Sequence, residues 1–98
     1  MTKADDAAAY LWRAHRERRA FENLPDPLAP ATIDEAYDAQ EAFHRLAIPA
    51  LGRIAGVKIA TTTKVMQALM GIDHPCGGAI FASRVFPSPA ELDLSAYV

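Results

Sequence analysis

The chain has 98 residues, which is enough for one small domain at most. Hydrophobic residues make up 51% of it, so a folded globular chain is expected and a disordered one is excluded. The net charge of −2 disfavours nucleic acid as a partner, and charges and prolines interrupt every apolar run too early for a membrane span. The single cysteine cannot form an internal disulfide, which favours a reducing, cytoplasmic location.

The first half of the chain is predicted to be helical, with one interruption. Residues 1–23 are rich in alanine and arginine, a composition that favours a helix. Prolines then make residues 24–31 a connector. A second helix is predicted over residues 32–51, because Thr32 and Glu35 have the spacing of a capping box at its start.

The second half combines strands with a short helix. Within residues 54–86, the pattern predicts a buried strand over Ile54–Ala60, a helix from about Thr63 to Met70 and another strand over Ala79–Phe86. The fold class is therefore α+β. The apolar residues of the short helix are expected to fill the core: Val65, Met66, Leu69 and Met70.

One lysine in the first of these strands predicts a binding site. Gly56, Lys58 and Ala60 share a strand face, and the small neighbours leave room for the ammonium group to point into a cavity. Thr62 and Thr63 precede the short helix, whose first backbone N–H groups would be aimed at the same space. Because an unpaired buried cation is costly, the pattern indicates a site for a small carboxylate.

These residues also carry a family resemblance. Residues 56–67 and 70–81 resemble the 2-keto-4-pentenoate hydratase family, which includes 4-oxalocrotonate decarboxylases and belongs to the wider fumarylacetoacetate hydrolase superfamily. Residues 35–40 resemble a helix of the same family. The resemblance spans about Leu24 to Phe86. It implies the small N-terminal helical and strand domain of a fumarylacetoacetate-hydrolase-like fold, with the main β-roll largely missing.

The resemblance implies a metal-dependent reaction on a small 2-keto acid. In that reaction Mg²⁺ or Mn²⁺ supports the addition of water to a 2-hydroxy-2,4-dienoate, which gives a 4-hydroxy-2-keto acid in aromatic-compound catabolism. Lys58 occupies the family's catalytic lysine position, and Thr62 and Thr63 the substrate-contacting positions. Cys76 stands where many hydratases have an aspartate, and a thiol is a poorer acid–base group. A 4-oxalocrotonate-type decarboxylase therefore remains an alternative.

Members of the family are longer than this chain, and their metal-binding carboxylates follow the region it resembles. Residues 87–98 are accordingly expected to begin a missing C-terminal catalytic region. No metal ligand is assigned within the chain, which by itself is expected to be inactive, and a full-length form is expected to be a homo-oligomer. Two further interpretations stay open: a catalytically silent remnant that acts as a binding or assembly module, and a small domain that recruits carboxylates from a partner chain.

Overall fold

The computed structural model describes residues 1–97, and they form two compact units. Unit 1 comprises Met1–Ala50 and the segment that begins at Pro87, and unit 2 comprises Leu51–Phe86. The described residues contain three α-helices and a two-stranded antiparallel sheet, which confirms the predicted α+β class. Among residues 1–97, no helix is both long enough and apolar enough to span a membrane.

Helix α1 (Lys3–Arg16) begins with a capping box that the sequence analysis did not identify. The Thr2 hydroxyl oxygen accepts the Asp5 N–H at 3.1 Å, and the Asp5 carboxylate accepts the Thr2 N–H at 3.1 Å. The helix ends well before residue 23, its predicted limit. Arg18 has a φ of 53°, and this left-handed conformation cannot continue a right-handed helix.

Helix α2 (Ile33–Leu51) has half of its predicted capping box. The Thr32 hydroxyl oxygen accepts the Glu35 N–H at 3.1 Å, as the spacing predicted. The Glu35 carboxylate, however, accepts the Ala31 N–H at 2.8 Å and the Lys3 ammonium at 3.2 Å. The carboxylate thus links the start of α2 to the start of α1.

The core of unit 1 combines buried small residues with ring contacts that Trp12 and His15 make to Phe43. Trp12 of α1 meets Phe43 of α2 edge to face, with ring centroids 5.8 Å apart. Such a contact stabilises by about 0.5–1.5 kcal/mol beyond the area that it buries. The buried apolar residues of this unit are all alanines: Ala7, Ala8, Ala39, Ala42 and Ala47.

Unit 2 is a β-hairpin-like pair of strands with a helix in the connection. Strand β1 (Ile54–Ala60) pairs antiparallel with strand β2 (Cys76–Phe81). Helix α3 (Lys64–Met70) lies between them in sequence. Thr63 is its N-cap, and Gly71 ends it with a φ of 73°, a left-handed conformation that suits glycine.

The second strand begins and ends earlier than predicted. Gly77 and Gly78 precede the predicted start at Ala79, but they pair with Ile59 and Lys58 inside the sheet. The backbone hydrogen bonds of an antiparallel pair do not depend on the side chains. Glycines can therefore occupy β2, because its partner β1 contains several β-branched residues. The strand stops at Phe81, where a 3₁₀ turn follows.

Two predictions about burial are wrong within the described residues. Val57 is 83% exposed and Ile59 is 69% exposed, so β1 is not a buried strand. A two-stranded sheet provides no second layer to cover its faces, and its apolar residues consequently stay in contact with solvent. The helix residues that were expected in the core are exposed for the same reason: Val65, Met66, Leu69 and Met70.

The two capping carboxylates make unit 1 sensitive to acid. Hydrogen bonds from the Thr2 N–H and hydroxyl hold the pKa of Asp5 below its ordinary value, and the Ala31 N–H, followed by the Lys3 ammonium, lowers the pKa of Glu35. A lowered folded-state pKa contributes stability above the unfolded pKa, and this stability is lost as the pH falls through the folded-state value. The loss is expected below about pH 4.

We expect the double variant Asp5→Asn/Glu35→Gln to melt at a lower temperature than the parent at about pH 7, because the charged hydrogen bonds are weakened. Its melting temperature should also fall less between about pH 7 and about pH 3. Circular dichroism measures both. Glu91→Gln, in an exposed segment, is the control. Parallel pH profiles for the parent and the double variant would contradict this account of the caps.

Candidate functional site

The pairing of β1 with β2 brings Lys58 and Cys76 to the same face of the sheet. Lys58 lies opposite Gly78, and Ala60 lies opposite Cys76. Directly opposed residues of an antiparallel pair share a face, and diagonal neighbours on that face are about 7–8 Å apart. A lysine side chain is long enough to cover that distance. The structure therefore places Lys58 and Cys76, the two residues that the resemblance singled out, diagonally on one face of the sheet.

The surroundings of Lys58 are open. Along its own strand and directly across from it, its neighbours on this face are the small residues Gly56, Ala60 and Gly78, while Ile80 and Cys76 lie diagonally. A Cβ added at Gly56 would make only an ordinary contact, 3.9 Å from the Ile80 Cδ1, so Ile80 borders this face without filling it. A ligand could therefore approach Lys58 from above the strand pair.

Lys58 is exposed, so the prediction of a buried ammonium group is wrong. An exposed cation carries no burial penalty. The cost of burying Lys58 is therefore no longer a reason to expect a bound counter-anion. Within residues 1–97, the ion pairs use other cations, so the Lys58 ammonium is not neutralised by a carboxylate of the described chain. The charge is available to a solute.

Three threonines connect β1 to α3, and each has a different environment. Thr61 adopts a left-handed φ of 54°, and its hydroxyl donates to the Ala60 carbonyl at 2.6 Å. Thr62 is exposed. Thr63 caps α3 by accepting the Met66 N–H at 3.2 Å. Capping uses a lone pair of the oxygen, and the hydroxyl proton of Thr63 remains able to donate to a ligand.

The helix itself adds little to the attraction of an anion. Helix α3 contains seven residues, so its dipole is small, and one of its first N–H groups is already taken by the Thr63 cap. The carboxylate site that the sequence predicted therefore depends on the ammonium group of Lys58 and on the two threonine hydroxyls.

Gln67 is a buried residue of this site that the sequence analysis did not single out. It is 6% exposed, and its Nε2 donates to the Thr61 carbonyl at 3.0 Å. Within the described residues, its Oε1 is buried without a hydrogen-bond partner. One signal was present in the sequence: Gln67 lies one helical turn after Thr63, among apolar residues.

The described residues contain no metal centre. Within residues 1–97, no group of three or more histidine, cysteine, aspartate or glutamate side chains could hold a metal ion. The Mg²⁺ or Mn²⁺ that the resemblance implies for longer family members thus does not fit the side chains described here.

A separate cleft of about 500 Å³ lies in unit 1, and none of the predicted site residues lines it. Both of its cations are engaged with carboxylates, Lys3 with Glu35 at 3.2 Å and Arg45 with Asp5 at 3.7 Å. Because these two cations are already paired with carboxylates, they attract an anionic ligand less strongly than the ammonium group of Lys58 does. The candidate site is accordingly assigned to unit 2.

Sequence comparison relates the chain to a defined class of enzymes. It is 37% identical over 82 residues to 2-keto-4-pentenoate hydratase 1 of Dechloromonas aromatica and 40% identical over 76 residues to 2-keto-4-pentenoate hydratase 2 of the same organism. It is 30% identical over 91 residues to the 2-keto-4-pentenoate hydratase of Paraburkholderia xenovorans. These matches cover 84%, 78% and 93% of the chain.

The same matches cover 31%, 29% and 34% of the relatives, so the chain spans about a third of the length of the curated relatives that it matches. No protein-family model matches the chain. No solved structure matches it either.

The resemblance that the motifs indicated is confirmed, because proteins named 2-keto-4-pentenoate hydratase match most of the chain. The extent of the matches is consistent with an N-terminal portion of that family.

We expect the 98-residue chain to bind Mg²⁺ or Mn²⁺ weakly. Divalent cations of this kind need several carboxylate or carbonyl oxygens arranged around them, and the described carboxylates are not grouped in that way. Isothermal titration calorimetry with each ion measures the affinity, with Ca²⁺ as a comparison for nonspecific charge. A site with an affinity in the low micromolar range would contradict the prediction.

Proposed function

We propose that the chain provides the lysine and the hydroxyl groups of a carboxylate-binding site in a 2-keto-4-pentenoate hydratase-like enzyme. That enzyme would add water to a 2-hydroxy-2,4-dienoate during aromatic-compound catabolism. The observation that carries the proposal is that Lys58 lies opposite Gly78. Because glycine has no side chain, the space beside the exposed lysine is open to a ligand. The similarity to hydratases supports the choice of substrate class.

The reaction has two stages that balance without an oxidant or reductant. The substrate first loses its enol proton and gains a proton at C5, which converts the dienol into a 2-keto-3-enoate. Water then adds to the new double bond, with its hydroxyl group at C4 and a proton at C3. The product is a 4-hydroxy-2-keto acid.

Lys58 suits the first stage because negative charge moves onto the 2-oxo oxygen as the enol proton leaves. An ammonium group beside the substrate carboxylate and this oxygen would stabilise that charge. Thr62 and Thr63 would donate hydroxyl hydrogen bonds to the carboxylate and fix its orientation. Lys58 could also transfer a proton itself, since lysine serves as an acid or a base in other enzymes.

Cys76 leaves a second candidate reaction. It is half-buried, and it shares the face of Lys58 in the position where many hydratases have an aspartate. A decarboxylase of the 4-oxalocrotonate type would use the same charge stabilisation by Lys58, with loss of carbon dioxide forming the enolate. The thiol is a possible substitute for the carboxyl group in proton transfer, although a weaker acid at neutral pH.

The wider properties of the family belong to the proposal as well. A longer form would use Mg²⁺ or Mn²⁺, form a homo-oligomer and act in the cytoplasm on a small 2-keto acid. Because the described residues do not fit the metal, no step of the reaction is assigned to it here.

The test is a chimera of this chain with a longer hydratase. The 98 residues replace the aligned segment of 2-keto-4-pentenoate hydratase 1 from Dechloromonas aromatica, and the loss of 2-hydroxypenta-2,4-dienoate is followed by its ultraviolet absorbance. We expect Lys58→Ala to lower kcat/KM by about two to three orders of magnitude, the usual effect of removing one well-placed stabilising group. Circular dichroism checks that the variant is folded.

Lys64→Ala is the matched control, because Lys64 is an exposed lysine at the first position of α3. It should leave the rate close to that of the parent chimera. Equal rates for Lys58→Ala and the parent would refute the site assignment. A folded parent chimera without turnover would instead favour a silent binding or assembly module.

A further inference from the structure

Gln67 connects the two ends of helix α3. Its side-chain Nε2 donates to the Thr61 carbonyl at 3.0 Å, and its backbone N–H donates to the Thr63 carbonyl at 3.0 Å. Its own carbonyl accepts the Ile72 N–H at 3.0 Å, beyond the end of the helix. A single buried residue therefore contacts the turn that precedes α3 and the turn that follows it.

The turn held by this side chain is strained. Thr61 has a φ of 54°, and threonine is β-branched, so its side chain is crowded in the left-handed region. Such a conformation persists only where the surrounding structure enforces it. The Thr61 hydroxyl donates to the carbonyl of the preceding residue, Ala60, at 2.6 Å, and the Gln67 amide holds the Thr61 carbonyl on the other side.

The amide of Gln67 can be oriented in one way only. The Thr61 carbonyl is an acceptor, so the NH₂ group and not the oxygen must face it. A buried side chain in this position must therefore be a donor. Leucine would fill much of the same volume without donating, and an ionised glutamate would present a second acceptor to the carbonyl.

We propose that Gln67 is a positioning residue of the proposed site: it holds Thr61 in the left-handed conformation and so sets the direction in which Thr62 and Thr63 leave the end of β1, for binding a small carboxylate together with Lys58. This inference rests on the proposed function. In sequence, Thr61 lies three positions after Lys58, the residue that pairs with Gly78, and directly before Thr62 and Thr63. A change of φ at Thr61 would redirect the two following threonines relative to β1, and therefore relative to Lys58.

The experiment uses the isotopically labelled 98-residue chain, at a concentration where sedimentation equilibrium gives the mass of a monomer. The ¹³Cα and ¹³Cβ chemical shifts of Thr61 report whether its φ is left-handed. Oxalate is the probe of the carboxylate site, titrated in a chelator-treated buffer while the amide signals of Thr62 and Thr63 are followed. In Gln67→Leu, we expect Thr61 to leave the left-handed region and the affinity for oxalate to fall at least about fivefold.

Gly71→Ala is the control for loss of stability. Gly71 has a φ of 73° and no atom within 4 Å of an added Cβ, so alanine strains the end of α3 without touching Thr61. It should lower the melting temperature while leaving the Thr61 shifts and the oxalate affinity close to those of the parent. Gln67→Glu is the second variant, used if Gln67→Leu does not fold. At neutral pH it should release Thr61 as well.

The outcomes separate the two proposals. Unchanged Thr61 shifts in the Gln67 variants would overturn the inference, and so would changed shifts with an unchanged affinity for oxalate. An equal loss of affinity in Gly71→Ala would show a structural role only and would also overturn it. Lys58→Ala tests the underlying site: if the parent and Lys58→Ala bind oxalate equally, or neither binds it, the carboxylate site fails and the positioning role fails with it.

Discussion

The antiparallel pairing of β1 with β2 is the constraint on which the candidate site depends. It sets Lys58 opposite Gly78 and Ala60 opposite Cys76, and a slip of one residue would move Cys76 to the other face. It also fixes where β1 ends, and thereby where the threonine turn begins. The lysine and the thiol come from two separate strands, and this one register brings them to the same face.

The same strand pair explains why unit 2 is so exposed. Two strands and a seven-residue helix cannot bury one another, and Val57, Ile59 and Leu69 all remain more than half exposed. The polar residue Gln67 is buried instead, because it satisfies the Thr61 carbonyl that the strained turn presents. Unit 1 buries alanines, and one exposed ion pair, between Lys3 and Glu35, joins the starts of α1 and α2.

Much of the local structure could be predicted from the sequence, and the burial could not. Alternation located β1, and Thr63 and Gly71 marked the two ends of α3, because caps are decided by a few neighbouring residues. Burial depends on which layers cover an element, and a local pattern cannot supply that information, so the ammonium of Lys58 was wrongly expected to be buried. The role of Gln67 depends on the φ of Thr61, which is equally invisible in the sequence.

The measurement that tests the central claim most directly is the register of the two strands in solution. Cross-strand nuclear Overhauser effects in the 98-residue chain report it from backbone and side-chain protons. The account predicts that Lys58 is opposite Gly78 and that Ala60 is opposite Cys76. A pattern with Lys58 opposite Gly77 or Ala79 would place the thiol on the other face, and it would contradict the site.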